Sequence, residues 1–550
     1  MDSVFDQALI EIGQDGRFQK KFDIIYNVIF AVLWPMAYMN LILALVVVPH
    51  MCQVSGKPDS ISELYWKEIN IPQYTNAAGE VKFDSCLMYI NGSSSNDTKA
   101  CDKYEYDKTW YEETVPTKNN WVCDKELYVA NIFAASKIGE LVGSMVFGWF
   151  GDAYGRRPAY ITSLALLVLG RVISLFAGSS FIFFVIGSVI AAFPSWSAIQ
   201  SVTVISMELS SAERRSTTAT LRFAGWSVGM ALMAVLFWWL RHWQTFFIAT
   251  IILQIPFLIF SWKMVESPRW LWIQGHSKKC VKYLKQIAKE NKRDLSVETE
   301  NSILNVKPVQ NNETLGYIAL FSGWTLAKNT TLQLVFWVCI SVNYTVIMMS
   351  SGDKSDGNPF LEFLWQALAE VPGYFIAAWL ADRIGRRNTG VLSFAIGACM
   401  WIILALRESS SNAIFRHPLI GSGIVIVTRL SATMGYYIIN ILNFELYPTC
   451  IRQSGMCLGN LFSSGGSALA PYIFYLGHRV NSQLSSVILT GVSVIGVIST
   501  LLLPETLNKK LPETIEDAQV FGKTTQTYTP VLLNTSDEDP VVALEKNEND

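Results

Sequence analysis

Long apolar stretches recur along the whole chain and are separated by short polar connections. A bilayer core requires about 20 apolar residues per helix, and these stretches have that length. The pattern predicts twelve membrane-spanning helices, which we call spans 1 to 12 in chain order. Their expected bounds are 24–49, 127–151, 158–178, 181–207, 217–239, 244–265, 332–351, 360–382, 388–406, 416–440, 453–476 and 483–503. The stretches are continuously apolar rather than alternating, which argues against a membrane β-barrel.

Three polar regions interrupt or follow the spans. Residues 50–126 form a long polar loop, residues 266–330 carry lysines in a pattern typical of short amphipathic helices, and the chain ends in an acidic segment whose composition is typical of disorder. The expected organisation is a segment 1–23, a six-span bundle 24–265 that contains loop 50–126, a connecting loop 266–330, a second six-span bundle 331–503 and a tail 504–550.

Arginine-rich short loops indicate which side of the membrane each region occupies. The loops 152–157, 214–215 and 383–387 all fall on one side of the twelve-span arrangement. The positive-inside rule assigns that side to the cytoplasm, together with both termini. The first twenty residues are mixed and polar rather than a signal peptide, so we expect span 1 to direct insertion.

Composition supports a multi-pass membrane protein. Of 550 residues, 51% are hydrophobic and only 16% are charged, whereas soluble proteins carry about 25% charged residues. The net charge of −2 gives no indication of a nucleic-acid partner. The five histidines have no metal-ligand or catalytic-triad spacing, and no phosphate-binding loop is present. The sequence therefore predicts neither an enzyme nor a cofactor, a metal site or ATP drive.

Loop 50–126 has the signature of an oxidised extracellular segment. It holds Cys52, Cys86, Cys101 and Cys123, and the sequons that begin at Asn91 and Asn96 predict glycosylation. Four cysteines allow three pairings, and the sequence does not choose among them.

The two halves of the chain repeat one another. The segment GWFGDAYGRR at 148–157 returns as AWLADRIGRR at 378–387, and the spacing from Glu208 to Arg215 returns from Glu445 to Arg452. Glu266 after span 6 likewise matches Glu505 after span 12. Parallel repeats of six spans build two pseudo-symmetric bundles with a substrate site between them near the membrane midplane.

These motifs resemble those of the major facilitator superfamily. Within it, the chain resembles the organic-ion transporters, which include organic cation, organic anion and carnitine transporters. The resemblance covers residues 5–517, and its motifs are the four-cysteine loop, 148–157, 266–270, 358–387, 444–449 and 503–506. It implies an all-α membrane protein of twelve helices in two bundles. The implied activity is secondary transport across the plasma membrane by alternating access.

The resemblance also implies that charged residues at the cytoplasmic ends of the spans clamp that side while the cavity faces outward. The candidates are Asp152, Arg156, Arg157, Glu208, Arg215, Asp382, Arg386, Arg387, Glu445 and Arg452. Exposed ion pairs contribute only about 0–1 kcal/mol each, which suits a reversible switch. The alternative is that these arginines only orient the spans.

Charged residues inside spans are costly and indicate function by default. They are Lys137, Glu140, Arg171, Arg222, Glu370 and Arg429. The resemblance places Glu370, before Pro372, in a helix that lines the cavity, and predicts that it contacts substrate or serves coupling. The alternative is a structural bond to Arg429. Lys137 and Glu140 share a helix face. The alternative for these two residues is an ion pair that neutralises both charges and has no role in transport.

Aromatic residues in the spans that this superfamily uses for its pathway are candidates for the cavity wall. They are Tyr38, Trp196, Tyr344, Phe360, Phe363, Trp365 and Tyr374. Aromatic faces attract cations by about 0.5–2 kcal/mol each. The alternative is that these rings face lipid.

Two positions bear on the charge of the substrate. At the place of Ser464, organic cation transporters carry aspartate, and anion and typical carnitine transporters carry arginine. Tyr374 stands where anion transporters carry lysine. We therefore predict small organic cations or zwitterions, amine-like or carnitine-like, as substrates. An organic anion transporter and a non-transporting sensor remain alternatives. The membrane potential drives a cation directly, whereas a zwitterion requires coupling to sodium or protons.

Overall fold

The computed structural model describes residues 4–54, 56–75, 81–90, 97–210, 212–305, 317–350, 357–410, 415, 417–448, 451–479, 481–507, 509, 512 and 515–520. Within this part of the chain the architecture is helical, with short strands confined to loop 50–126.

The first bundle contains spans 1 to 6. Span 1 is broken into Arg17–Phe22, the π-helical Asp23–Ile29, Phe30–Tyr38 and Leu41–Ala44. The remaining helices are Leu127–Tyr154 (span 2), Arg156–Phe176 (span 3), Phe181–Ala192 with Ser197–Glu208 (span 4), Ala212–Leu240 (span 5), and Trp243–Ile259 followed by the turn Phe260–Lys263 (span 6).

The second bundle contains spans 7 to 12 and repeats this order. Its helices are Trp324–Ser350 (span 7), Pro359–Ile384 (span 8), Arg386–Ser409 (span 9), Pro418–Leu446 (span 10), Arg452–Ser467 with Ala470–Arg479 (span 11) and Ser482–Leu501 (span 12). The predicted twelve helices in two bundles are therefore confirmed.

Ten of these helices are long and apolar enough, by length and hydropathy, to cross a membrane. Spans 8 and 11 are not among the ten. Span 8 carries Glu362, Glu370 and Asp382, and span 11 is interrupted between Ser467 and Ala470.

Spans 1 and 7 begin earlier than predicted because polar residues continue the helices. Span 1 runs from Arg17 to Ala44 rather than over 24–49, and span 7 begins at Trp324 rather than at 332. The added turn of span 7 contains Asn329, which is 4% exposed. Polar side chains packed inside the protein shorten the apolar stretch without ending the helix.

Loop 50–126 is a small disulfide-linked unit. The strands His50–Cys52 and Tyr104–Tyr106 pair, as do Gln73–Thr75 with Val81–Phe83 and Leu87–Tyr89 with Thr98–Ala100, and two helices lie at Glu63–Asn70 and Val115–Asn119. Disulfides join Cys52 to Cys101 and Cys86 to Cys123. Of the three pairings that the sequence left open, the structure has this one.

The loop is attached to the first bundle. Arg241, at the end of span 5, donates to the carbonyl oxygens of Lys108, Thr109 and Trp110. Thr114 donates to the carbonyl oxygen of Val46, which follows span 1, at 3.0 Å. These bonds fix the loop to the C-terminal ends of spans 1 and 5.

The predicted amphipathic helices in residues 266–330 are present as Pro268–Ile273, Ser277–Asn291 and Val297–Asn305, with a turn at Tyr317–Phe321. The N-terminal helix Val4–Ile12 packs against Ser277–Asn291 and Val297–Asn305. The Asn291 amide donates to the carbonyl oxygens of Ile12 and Gly13, so the N-terminal segment and the connecting loop form one packed unit. A last short helix is Ile515–Val520.

Candidate functional site

A cavity of about 200 Å³ lies between the two bundles. Spans 1 to 5 contribute one wall and spans 7, 8, 10 and 11 the other. Among the predicted residues, those that line it are Tyr38, Lys137, Glu140, Arg171, Trp196, Arg222, Tyr344 and Tyr374.

One side of the cavity is a cluster of four aromatic rings, Trp34, Tyr38, Trp196 and Trp226. Trp34 stacks on Tyr38 at 4.4 Å between ring centroids, and Trp196 lies 4.7 Å from Trp226. Trp34 is buried behind the other three rings, and those three line the cavity. The prediction that Tyr38 and Trp196 face the cavity, rather than lipid, agrees with this arrangement.

Span 1 is interrupted beside this cluster, and Arg171 of span 3 occupies the break. The helix Phe30–Tyr38 ends there, and the chain becomes helical again at Leu41. The Arg171 guanidinium donates to the carbonyl oxygens of Ala37 at 3.1 Å and Tyr38 at 2.8 Å. A helix C-terminus carries partial negative charge, so this buried arginine stabilises the broken end.

Arg222 of span 5 lies in the cavity wall without a carboxylate partner among the described residues. Its guanidinium stands over the ring of Phe223 at 4.7 Å, and its electrostatic neighbour is Tyr374 of span 8. Phe223 and Tyr374 stack across the two bundles at 5.0 Å. Arg222 is half-buried. A partly desolvated charge normally has a partner, so this guanidinium can bind an anionic group.

Lys137 and Glu140 form the expected pair and also join the bundles. The Lys137 ammonium lies 2.8 Å from one carboxylate oxygen of Glu140. The other oxygen accepts a hydrogen bond of 3.2 Å from the Ser464 hydroxyl of span 11. Ser464 itself does not line the cavity, although Ser463 and Ser467 do. The pair is neutral as a unit and lies in the cavity wall.

Glu370 is fully buried and does not line the cavity. Its carboxylate accepts bonds from Arg429 at 2.8 Å, from the Tyr344 hydroxyl at 2.8 Å and from the Ser227 hydroxyl at 2.7 Å. Glu370 therefore makes the structural bond to Arg429 that the sequence analysis gave as the alternative to substrate contact. Tyr344 connects this buried pair to the cavity, and Ser227 reaches it from the first bundle.

The three aromatic residues at the start of span 8 do not line the cavity, contrary to expectation. Phe360 packs against Tyr111 and Phe237, and Phe363 lies under the guanidinium of Arg429. Trp365 is 55% exposed on the outer face of its helix, as its lipid-facing alternative predicted. Apolar residues are equally suited to lipid and to the protein core, so composition could not assign these faces.

At the ends of the spans that the sequence predicts to be cytoplasmic, two glutamates bind backbone amides in matching positions of the two bundles. Glu266 accepts bonds from the amides of Arg156 and Arg157, and Glu505 accepts them from Arg386 and Arg387. Each carboxylate therefore caps the N-terminus of a span, where the helix dipole favours negative charge. Burial raises the pKa of the Glu266 carboxyl, and these backbone bonds oppose the shift.

Among the residues predicted to form the clamp, the charge pairs that the structure describes lie within a bundle. Arg386 contacts Glu445 at 3.3 Å and Asp382 at 3.2 Å. Glu208 accepts a bond from Ser267, and Glu445 accepts the matching bond from Thr506. The expected partners of these glutamates were Arg215 and Arg452. The side chains of Arg215, Arg452 and Asp152, and the sequon residues Asn91 and Asn96, lie outside the described residues.

Sequence reasoning missed Trp226, Ser227 and the cavity-lining amides Asn440 and Asn460. Trp226 donates to the Tyr344 hydroxyl at 3.4 Å, so it links the aromatic cluster to span 7. Arg222 and Trp226 are four positions apart on span 5 and therefore share one face of the helix. This spacing could have predicted that the face lines the cavity.

The described lining carries three basic side chains, Lys137, Arg171 and Arg222, and one acidic side chain, Glu140. The formal charge of these side chains is therefore +2.

Comparisons with known proteins agree with this architecture. The family model described as sugar (and other) transporter matches residues 90–518. The chain is 27% identical to the organic cation transporter protein of Drosophila melanogaster over 94% of this chain and 95% of that one. It is 25% identical to the beta-alanine transporter of the same species over 94% and 89%.

Among solved structures, the proton:xylose symporter XylE bound to 6-bromo-6-deoxy-D-glucose aligns with a TM-score of 0.55 at 16% identity, over 89% of this chain and 98% of that chain. That likeness shows the fold of the major facilitator superfamily. The chain therefore belongs to the sugar (and other) transporter family of this superfamily, a family of membrane transporters rather than enzymes.

Proposed function

We propose that the protein is a secondary transporter of the plasma membrane, with both termini in the cytoplasm, for small zwitterions that carry an amine and a carboxylate. The observation behind this choice is Arg222, a cavity-lining guanidinium without a carboxylate partner among the described residues. The solute's carboxylate binds Arg222. Its amine lies against the aromatic faces of Tyr38, Trp196 and Trp226.

Electrostatics argue against a simple cation in this cavity. One unit charge about 6 Å from another costs about 3 kcal/mol at an effective dielectric constant of about 20. An aromatic face offers a cation about 0.5–2 kcal/mol. With a described lining balance of +2, the repulsion outweighs the aromatic attraction unless the solute carries its own negative group.

Size and relatives support the same class of solute. Pockets for drug-sized ligands have volumes of about 300–1,000 Å³, and the present cavity is about 200 Å³. The relatives include proteins named for organic cations and for beta-alanine, which is a small zwitterion. The positive lining also favours an organic anion, which we keep as the second candidate.

In this proposal, the charge pairs at the cytoplasmic ends hold each bundle together. Arg386 with Glu445 and Asp382 fixes spans 8 to 10 to one another, while Glu266 and Glu505 fix the starts of spans 3 and 9. Each bundle then rocks as a unit, and the contacts between bundles break and form again.

Uptake in cells tests the proposal, with labelled beta-alanine, carnitine, tetraethylammonium and para-aminohippurate compared side by side. We expect beta-alanine or carnitine uptake, and a loss of roughly 10- to 100-fold in affinity in Arg222→Gln, because a hydrogen bond to a charged group contributes about 1.5–3 kcal/mol. Arg293→Gln, an exposed arginine outside the cavity, is the matched control and should transport normally.

Two outcomes would replace the proposal. Uptake of tetraethylammonium alone, driven by the membrane potential, would mean that the lining charge does not select the solute. Uptake of para-aminohippurate alone would favour the organic anion candidate.

A further inference from the structure

We propose that Ser296, in the loop that connects the two bundles, is a phosphorylation site whose phosphate releases the end of the N-terminal helix Val4–Ile12 from that loop. The inference rests on the cytoplasmic position proposed above for this loop, because ATP and protein kinases act on that side of the membrane. It concerns a packed unit outside the cavity, so it does not depend on the identity of the solute.

The chain around Ser296 has the features of a kinase substrate. Ser296 is exposed and ends the non-helical stretch 292–296, which lies between the helices Ser277–Asn291 and Val297–Asn305. The stretch reads KRDLS, so an arginine stands three residues before the serine and a lysine four residues before it. Kinases with an acidic peptide-binding surface select basic residues at such positions, because complementary charge chooses the partner. Exposure and basic residues together indicate a basophilic serine kinase.

Unmodified Ser296 binds the carboxylate of Glu11 in the last turn of the N-terminal helix. The Ser296 amide donates to one carboxylate oxygen at 3.0 Å, and the hydroxyls of Ser296 and Thr299 donate to the other at 3.1 and 2.7 Å. Burial raises the pKa of the Glu11 carboxyl, but these bonds outweigh it and hold the pKa below its usual value. The ionised carboxylate lies at the N-terminus of helix Val297–Asn305, where the helix dipole favours negative charge.

A second charged contact holds the same end of the N-terminal helix. The Arg293 guanidinium donates to the carbonyl oxygen of Ile10 at 3.3 Å, and a cation is stabilising at a helix C-terminus. The other end of the helix is held by an apolar contact, since Phe5 stacks on Trp272 at 5.9 Å between ring centroids. Added charge near Ser296 therefore acts on the C-terminal end of this helix.

The modification itself is a phosphoryl transfer from ATP. The Ser296 Oγ attacks the γ-phosphorus and forms a new oxygen–phosphorus bond, while the bond from that phosphorus to the bridging oxygen of ADP breaks. ADP leaves, and the hydroxyl proton passes to the catalytic base of the kinase. The serine thereby gains a group with a charge of about −1.5 to −2 and loses the proton that it donated to Glu11.

This phosphate weakens both charged contacts at the helix end. It stands beside the Glu11 carboxylate, and like charges in contact repel. The phosphate is covalently fixed and takes over the N-terminus of helix Val297–Asn305, so the Glu11 carboxylate moves away. The phosphate also attracts Arg293 into a charge-assisted hydrogen bond, which competes with the bond from Arg293 to Ile10.

The released helix end leads directly into span 1. The Asn291 amide donates to the carbonyl oxygens of Ile12 and Gly13. It also donates to the Gln19 side chain in the first helix of span 1 at 3.0 Å. Gln19 in turn donates to the carbonyl oxygen of Leu209, directly after span 4, at 3.4 Å. Phosphorylation of Ser296 therefore loosens the junction at which spans 1 and 4 meet the connecting loop.

The first test asks whether Ser296 is modified in the full-length protein purified in detergent. The protein is incubated with ATP and, in separate samples, with cAMP-dependent or calmodulin-dependent protein kinase, which both select an arginine three residues before serine. Mass spectrometry should find phosphate on the peptide that contains Ser296. Ser302→Ala is the matched control and should be modified like wild type, since Ser302 follows acidic rather than basic residues. Arg293→Gln should be a poor substrate.

Hydrogen exchange then measures the docking of the N-terminal helix. In the phosphorylated protein, the amides of Val4–Ile12 should exchange roughly tenfold faster, as expected for the loss of a hydrogen bond to a charged group, while those of span 8 keep their rates. Ser296→Glu should reproduce the change, and Ser296→Gln, which has the same size without the charge, should show less of it. Glu11→Lys added to Ser296→Glu should restore slow exchange, because attraction replaces repulsion.

Each outcome decides a separate point. No phosphate on Ser296 with either kinase would overturn the modification site. Unchanged exchange of Val4–Ile12 in the phosphorylated protein, or equal exchange in Ser296→Glu and Ser296→Gln, would overturn the release by charge. None of these measurements uses a solute, so their failure leaves the proposed transport in place, and a failure of the uptake assay leaves the phosphorylation site in place.

Discussion

The buried pair of Glu370 and Arg429 offers the sharpest test of the structure. Both side chains are 0% exposed and their charged atoms are 2.8 Å apart. Removing one partner from a buried pair costs about 3–5 kcal/mol, because the other charge stays buried without compensation. We therefore expect Glu370→Gln and Arg429→Gln each to lower the free energy of unfolding by about that amount.

The double variant Glu370→Gln/Arg429→Gln separates the structural role from substrate contact. Two neutral amides leave no buried charge, so the double variant should be more stable than the sum of the single effects implies, by about 2 kcal/mol or more. If the pair is structural, the double variant also recovers uptake. Substrate contact by the Glu370 carboxylate would instead leave it inactive.

Intrinsic tryptophan fluorescence during detergent unfolding measures these stabilities, and labelled uptake measures the activity. The exposed pair Lys285–Glu300 serves as the matched control, since its double-variant cycle should give only about 0–1 kcal/mol. Additive effects of the two single substitutions would refute the reasoning, because additivity means that the two charges do not compensate each other.

Two further predictions concern the helix caps and the thiols. Gly155→Ala and Gly385→Ala should each destabilise the protein by about 1–3 kcal/mol in a thermal unfolding assay. The φ angles there are +107° and +97°, and an added Cβ would clash with Glu266 or Glu505. An unchanged melting temperature would contradict the cap geometry. Cys280 should resist N-ethylmaleimide at pH 8 in the folded protein and react once the protein is unfolded, because burial raises the pKa of the Cys280 thiol to about 12 and the thiolate is the reactive form. Mass spectrometry of the labelled peptide checks this, and equal labelling of the folded and the unfolded protein would show that Cys280 is accessible.

The sequence predicted the elements better than their contacts. Twelve apolar stretches and the repeated arginine loops were sufficient for two bundles of six spans, because span length and repeat order are local properties. The repeat also marked Glu266 and Glu505, although not their bonds to backbone amides. Those bonds depend on how span 6 meets span 3 and how span 12 meets span 9, which no spacing along the chain reveals.

The cavity was predicted only in part for a similar reason. Tyr38, Trp196, Tyr344 and Tyr374 line it as expected, whereas Phe360, Phe363 and Trp365 do not. Which face of an apolar helix turns inward depends on contacts between distant segments. Ser227 and Glu370, for example, are 143 residues apart and meet at 2.7 Å. The charge pattern was more informative, because a charged residue in a membrane helix has few acceptable surroundings.

The attachment of the disulfide-linked loop to spans 1 and 5 has a practical consequence. Arg241 and Thr114 fasten the loop to the first bundle, so we expect the loop to move together with that bundle. If the bundles move apart at this end, as the proposed transport cycle requires, the contact between Tyr111 of the loop and Phe360 of span 8, at 4.8 Å between ring centroids, has to break. A fluorophore on the exposed loop and a second one at the N-terminal end of span 8 would report that separation as a change in energy transfer, without any label inside the cavity.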